Sequence, residues 1–259
     1  MKHVWVFVVL MTLVAASARA AVRTEAVEYK HGNVVLEGYM AWDDAIQGKR
    51  PAVLVTHEWW GLSDYAKMRA RQLAQLGYVA FALDMYGKGV MADNAQKAGE
   101  LAGALRKDRT LMRERAKAGL DVLLKHPLTD ARRVAAIGYC FGGGVSLELA
   151  RSGADLAGVV SFHGNLDTPN PADAKNIKGR VLVLHGAEDP SVPMKQVNDF
   201  MDEMRQAKVD YQINMYGGAV HAFTNPAAGN DPARGAAYNA SADHRSWEAM
   251  KVFFAEIFK

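Results

Sequence analysis

Residues 133–144 read RVAAIGYCFGGG: a short apolar run, a cysteine set between glycines, then a glycine-rich entry to a helical pattern. The run has the length and composition of a strand buried on both faces. A helix is expected from near Phe141, so strand, sharp turn and helix follow within a dozen residues. Similar runs recur at PAVLVTHE (51–58), YVAFALDMY (78–86), LAGVVSFHG (156–164), RVLVLHG (180–186) and YQINMYGG (211–218). Between them, residues 63–76, 91–125, 194–207 and 241–258 carry helical patterns. Tyr65, Met68, Leu73 and Leu76 read as the inner face of the first, and Trp247, Met250, Phe254 and Ile257 as that of the last. Two more strands are expected in 22–42 around the turn His31-Gly32-Asn33. Strands alternating with helices specify an α/β class, with a mostly parallel central sheet and helices on both faces.

The chain has 259 residues, half of them hydrophobic, which suits one sizeable α/β domain. Its first twenty residues differ from the rest: Lys2 and His3, an apolar run from Val4 to Ala16, then the small-x-small pattern Ala18-Arg19-Ala20. This reads as a signal peptide (1–20) ahead of a domain spanning 21–259, and it implies a secreted or periplasmic protein. The run is short of the roughly 20 residues a spanning helix needs, so no stable membrane association is expected after cleavage. There are 31 Lys and Arg against 28 Asp and Glu, and two of the basic residues lie in the leader. The remainder is close to neutral, which gives no electrostatic case for nucleic acid.

Cys140 is the only cysteine, so no disulfide forms within the chain. Gly138 and Gly142 flank it at minus two and plus two, the spacing of a nucleophile elbow with Cys in place of Ser. Small neighbours let strand and helix close on a strained turn, and the helix N-terminus favours thiolate, the reactive form. An oxyanion formed on an attacked carbonyl is within reach of the Phe141 amide. Such a nucleophile needs a base and an acid to orient it. RVLVLHGAEDPSVP ends a strand in a loop carrying Asp189, and YQINMYGGAVHAF ends the next in a loop carrying His221. The order nucleophile, acid, histidine is that of an α/β-hydrolase sheet. Glu188 competes as the acid, but the turn DPSVP favours Asp189. His57 and His185 also end strands and are weaker candidate bases, whereas His31, His126, His163 and His244 read as surface or packing residues.

The loop THEWWG (56–61) follows the first buried strand. A His-Glu pair suggests zinc only with a second histidine one turn later, and Gly61 stands there, so no metal is expected. The loop is expected to close over the thiol, with Glu58 facing Cys140 or its substrate and the Trp59 amide completing an oxyanion hole. Trp59, Trp60, Tyr86, Tyr139, Phe141 and Phe223 either line an apolar pocket or pack in the core.

With these residues assembled, the chain resembles the dienelactone hydrolase family, the cysteine branch of the α/β-hydrolases, over nearly all of 21–259. HEWWG, YVAFALDMYGKG, GYCFGGG, HGAEDPSVP and HAFTNP carry the resemblance. It implies Cys140 as nucleophile, His221 as base, Asp189 as its partner, and Glu58 as the family glutamate that helps switch on the thiolate, with no cofactor. Trp59 and Phe141 match the oxyanion-hole positions. Relatives acting on dienelactone carry an arginine four residues after the histidine to hold the substrate carboxylate. Asn225 stands there in this chain. Lys88 lies where those relatives have another basic residue, so one anionic contact is expected from it, as a flexible point charge and not a bidentate fork.

Hydrolysis of a small ester or lactone through a Cys140 acyl-enzyme is therefore expected, with enol and aryl leaving groups preferred over alkyl ones. Two other classes remain open on the sequence: a non-catalytic ligand-binding protein on a hydrolase scaffold, and a thiol redox protein that oxidises Cys140 against an external partner.

Overall fold

Alternate residues of the buried strands belong to different cores. Ala52 and Leu54 join one hydrophobic cluster while Val53 and Val55 join another. Val181 and Val183 separate from Leu182 and Leu184 in the same way. Successive side chains on a strand point to opposite faces, so a run apolar at every position needs cover on both sides.

The computed structural model describes residues 22–259, and the expected signal peptide (1–20) lies outside them. Eight strands form one sheet: β1 (Val22–His31), β2 (Val34–Asp43), β3 (Arg50–Thr56), β4 (Val79–Leu83), β5 (Thr129–Tyr139), β6 (Gly158–Phe162), β7 (Arg180–Gly186) and β8 (Tyr211–Tyr216). Their order is β1-β2-β4-β3-β5-β6-β7-β8. β1 and β2 form an antiparallel hairpin around Gly32, and β2 meets β4 antiparallel. From β4 to β8 every pairing is parallel.

The helices are α1 (Asp64–Gln75), α2 (Ala95–Lys107), α3 (Arg109–Lys125), α4 (Phe141–Arg151), α5 (Met194–Ala207) and α6 (Ala240–Ile257). The long helical region before β5 is divided at Asp108, which ends α2 and caps α3 by accepting from the Leu111 amide at 2.9 Å. Buried residues of α2 to α5 share one core, and those of α1 and α6 share the other.

Only part of the expected face of α1 is buried. Leu73 is inside, but Leu76 is exposed, and the helix buries Ala66, Ala70 and Ala74 together with Arg69. Small side chains let the helix lie close to the sheet. Arg69 is admitted because it pairs with Asp243 of α6 and lies over the rings of Tyr65, Tyr139 and Trp247. A hydropathy pattern counts such an arginine as outward-facing.

The parallel strands share one direction, so the loops after β3, β5, β7 and β8 emerge at one edge. Those four loops carry Glu58, Cys140, Asp189 and His221.

Candidate active site

The turn after β5 holds Cys140 at φ 53° and ψ −118°, a strained backbone for a residue with a side chain. Glycine on either side makes the turn feasible. A Cβ on Gly138 would lie 1.9 Å from the Gly142 oxygen, and one on Gly142 would lie 2.3 Å from the Thr56 oxygen. Strand β5, helix α4 and strand β3 thus approach one another at distances no alanine permits. Cys140 stands at the N-cap position of α4 with its thiol making no capping hydrogen bond, and it is largely buried. Among the described residues, neither the Phe141 nor the Trp59 amide donates to an internal acceptor.

Asp189 is held by its own turn. Oδ1 accepts from the amides of Ser191 at 2.8 Å and Val192 at 3.3 Å, while Oδ2 accepts from His221 Nδ1 at 2.8 Å. Glu188, one residue earlier, points to solvent. The main chain of His221 is bonded on both sides, its N–H to Gly235 and its carbonyl from Ala237. The His221 side chain faces Cys140. Burial works against its charge, but the Cys140 sulfur as thiolate and the Asp189 carboxylate outweigh it and hold the imidazolium well above the usual histidine range.

Glu58 is also buried, and its Oε2 accepts from Asn225 Nδ2 at 2.5 Å. Burial pushes its carboxyl up to about 7, against the opposing effects of Asn225, His221 and Arg69. Asn225 lines the same cavity, but its Oδ1 also caps the Ala227 amide, so both ends of its amide are engaged within the protein.

The cavity holds about 1200 Å³ and is lined by Cys140, His221, Glu58, Asn225, Trp59 and Trp60, among others. The two tryptophans meet edge to face at 5.1 Å. Other expected lining residues are elsewhere. Tyr86 lies behind the wall, its hydroxyl donating to the Trp59 carbonyl at 3.0 Å. Phe223 is fully buried against His163 and Tyr216, and Tyr139 stacks on Phe162. These aromatics belong to the core. Lys88 is also corrected: it pairs on the outside with Glu28 and Glu37 of the β1–β2 hairpin, because those carboxylates lie beside its loop.

Of the weaker candidate bases, His57 is locked. Its Nδ1 donates to the Glu58 carbonyl at 2.5 Å and its Nε2 accepts from the Met85 amide at 3.2 Å. His185 is buried outside the cavity lining.

One cation of the cavity was not legible in the sequence. Arg106, near the end of α2, lines the wall, donates to Asn165 at 2.6 Å and lies over the Phe141 ring at 5.7 Å. Among the described residues it has no carboxylate partner. A polar residue in the last turn of an amphipathic helix resembles an ordinary solvated one, so only the assembled wall reveals it.

The dienelactone hydrolase family model matches residues 36–258. Protein usf of Aquifex pyrophilus is 32% identical over 238 residues, covering 89% of this chain and 97% of its own. A "Putative carboxymethylenebutenolidase" of Aquifex aeolicus is 30% identical over 238 residues, covering 90% and 98%. Among solved structures, a dienelactone hydrolase-like promiscuous phosphotriesterase from metagenomic libraries is 45% identical, with a TM-score of 0.88 over 92% of this chain and all of that one. With the family model matching most of the chain, and relatives aligned along nearly their whole lengths on the same sheet, the chain belongs to the dienelactone hydrolase family of ester- and lactone-cleaving hydrolases.

Proposed function

We propose that the protein hydrolyses small esters or lactones with enol or aryl leaving groups through an acyl-enzyme on Cys140. The observation that carries this reading is the strained Cys140 turn, opening into one cavity with His221 held by Asp189. The thiolate sulfur attacks the carbonyl carbon, and the resulting oxyanion is received by the free amides of Phe141 and Trp59. Collapse breaks the carbonyl–oxygen bond and expels the enolate or aryloxide, which takes the His221 proton. Neutral His221 then removes a proton from water as the water oxygen adds to the thioester. The acid leaves, and thiolate and imidazolium are restored.

Leaving-group preference follows from the sulfur. In the tetrahedral intermediate a thiolate departs more readily than an alkyl alkoxide, so a poor leaving group returns to substrate. Glu58, with a carboxyl near neutrality, is the family's activating acid within the same cavity. Arg106, with no carboxylate of its own, supports a substrate bearing an anionic group.

Single-turnover kinetics with intact mass test the reading, using an enol lactone and an aryl ester beside Cys140→Ser and His221→Ala. An adduct on Cys140 that clears with turnover, and persists without His221, is the expected result. No adduct and no turnover would return the protein to the ligand-binding class; rapid oxidation of Cys140 without ester attack would favour the redox class. Export is proposed as well, from the leader pattern: the mature protein in an oxidising compartment should begin at Ala21 by intact mass, and an uncleaved chain there would oppose it.

A further inference from the structure

Among the described residues, three of the four non-glycine residues with positive φ are Cys140 (53°), His163 (39°) and Ala222 (57°), on the loops after β5, β6 and β8. They surround the nucleophile: the Cys140 N–H reaches His163 Nδ1 at 3.2 Å, and Ala222 lines the cavity with Cys140. His163 is fully buried and lies outside the cavity lining, and the reaction proposed above assigns it no step.

We infer that His163 is the positioning residue of the nucleophile: a neutral imidazole protonated on Nε2, whose Nδ1 holds the Cys140 amide and whose ring seats His221. The inference rests on the reading of Cys140 as nucleophile.

The Cys140 N–H is shared between the Phe162 carbonyl at 3.0 Å and His163 Nδ1 at 3.2 Å. An N–H can point only at a lone pair, so Nδ1 carries no proton. The ring's one proton is then on Nε2, and it is donated to Thr224 Oγ1 at 2.7 Å. Beyond Thr224 the chain ends on a group that can only donate. Arg69 Nε donates to the Tyr65 hydroxyl at 3.2 Å, and Arg69 Nη2 donates to the Thr224 carbonyl at 2.9 Å and pairs with Asp243. The Tyr65 hydroxyl donates to the Thr224 carbonyl at 3.1 Å and shares a hydrogen bond with the Thr224 hydroxyl at 2.6 Å. The His163 proton and the Arg69 protons are fixed, and the chain connects the α1–α6 ion pair to the nucleophile's amide.

The second contact is with His221, whose ring meets His163 edge to face at 5.4 Å and 69°. The titratable and charged groups around His163 come from every element packed on it: His221 from the loop after β8, His185 from β7, Arg69 and Tyr65 from α1, and Tyr139 and Cys140 from the end of β5. Burial first, then the nearby His221, Arg69 and His185, hold its protonation well below the usual histidine range. A proton on Nδ1 would point at the Cys140 N–H and add a second positive charge beside His221. His221 therefore remains the only one of the pair to exchange a proton with the thiol, while the strained turn stays fixed through the cycle.

Histidine-selective ¹⁵N NMR of the full protein reads the tautomer directly. The expected signal for His163 is a bare Nδ1 and a protonated Nε2 from about pH 5.5 to 9; an imidazolium or an Nδ1–H form at neutral pH overturns the inference. Two variants read the consequence. His163→Phe keeps the ring and removes the acceptor, whereas His163→Asn keeps an acceptor near Nδ1 and tolerates positive φ. Acylation is expected to slow ~10–100-fold in the Phe variant with little change in KM. The pH midpoint of Cys140 alkylation by iodoacetamide should rise by about one unit. The Asn variant should recover both to within ~3-fold and a few tenths of a unit.

A folded Phe variant with wild-type acylation and alkylation overturns the inference. If that variant does not fold, the Asn variant and the tautomer decide, an inactive folded Asn variant counting against. Failure of the hydrolase reading itself looks different: the wild type forms no acyl adduct with any ester, while the tautomer and alkylation readouts still report on His163.

Discussion

Asp189 and Glu58 are both buried carboxyls, and their surroundings treat them differently. Asp189 accepts from His221 and from two amides of its own turn, whereas the side-chain partner of Glu58 is one neutral amide, Asn225. With its carboxyl pushed up to about 7, Glu58 keeps a proton in the folded protein that it loses near 4.5 when unfolded. The folded state then binds more protons between those values, so the contribution is fully present below about pH 4.5 and is lost as pH rises through 7. Glu58→Gln removes this dependence. Urea unfolding should find the variant gaining about 3 kcal/mol on wild type between pH 4.5 and 7.5; a constant difference would mean Glu58 is ionised when folded. Arg106 gives a second prediction at this scale. Arg106→Ala should raise KM roughly tenfold for esters bearing a carboxylate and leave neutral aryl esters near wild type, because a charged hydrogen bond contributes about 1.5–3 kcal/mol. Equal effects on both substrate types would remove Arg106 from substrate recognition. Cys140, Asp189 and His221 stand out in the sequence because each follows a strand in a recognisable turn. Arg106 and Asn225 differ, since their roles depend on which side chain they meet.

Helix α4 and strand β5 were the most legible elements, because the glycines between them answer a local steric demand. Gly142→Ala places a Cβ 2.3 Å from a β3 carbonyl and must force α4 off the sheet. A loss of at least about 3 kcal/mol is expected in denaturant unfolding, with activity falling alongside. Gly99 in α2 has nothing within 4 Å of a built Cβ, so Gly99→Ala should stabilise by about 0.5–1 kcal/mol through helix propensity alone. If both substitutions were neutral, glycine at the elbow would not be a packing requirement. Helix α1 was less legible. Periodicity located its span almost to the residue, yet its buried face is alanine with an arginine, and hydropathy ranks neither as a core residue.

Across the whole molecule, α1 and α6 close one face of the sheet and are joined by the ion pair Arg69–Asp243, residues far apart in the chain. Removing one partner leaves an uncompensated buried charge. Asp243→Ala should therefore cost about 3–5 kcal/mol, measured by chemical denaturation, and should slow acylation through the Tyr65–Thr224–His163 chain; a stable variant with normal acylation would show the pair to be dispensable. Taken by itself, the sequence determined the α/β class, the strands and helices with their approximate bounds, and the elbow that carries the thiol. Each of these follows from contiguous residues, through apolar periodicity and the steric freedom of glycine. Only the tertiary structure decided that Lys88 turns outward to the hairpin, that Phe223 is core, that Asn225 holds Glu58, and that Arg106 and His163 approach the nucleophile. Burial and charge partners come from segments distant in the chain, and a one-dimensional pattern holds no record of which distant groups will share a low-dielectric site.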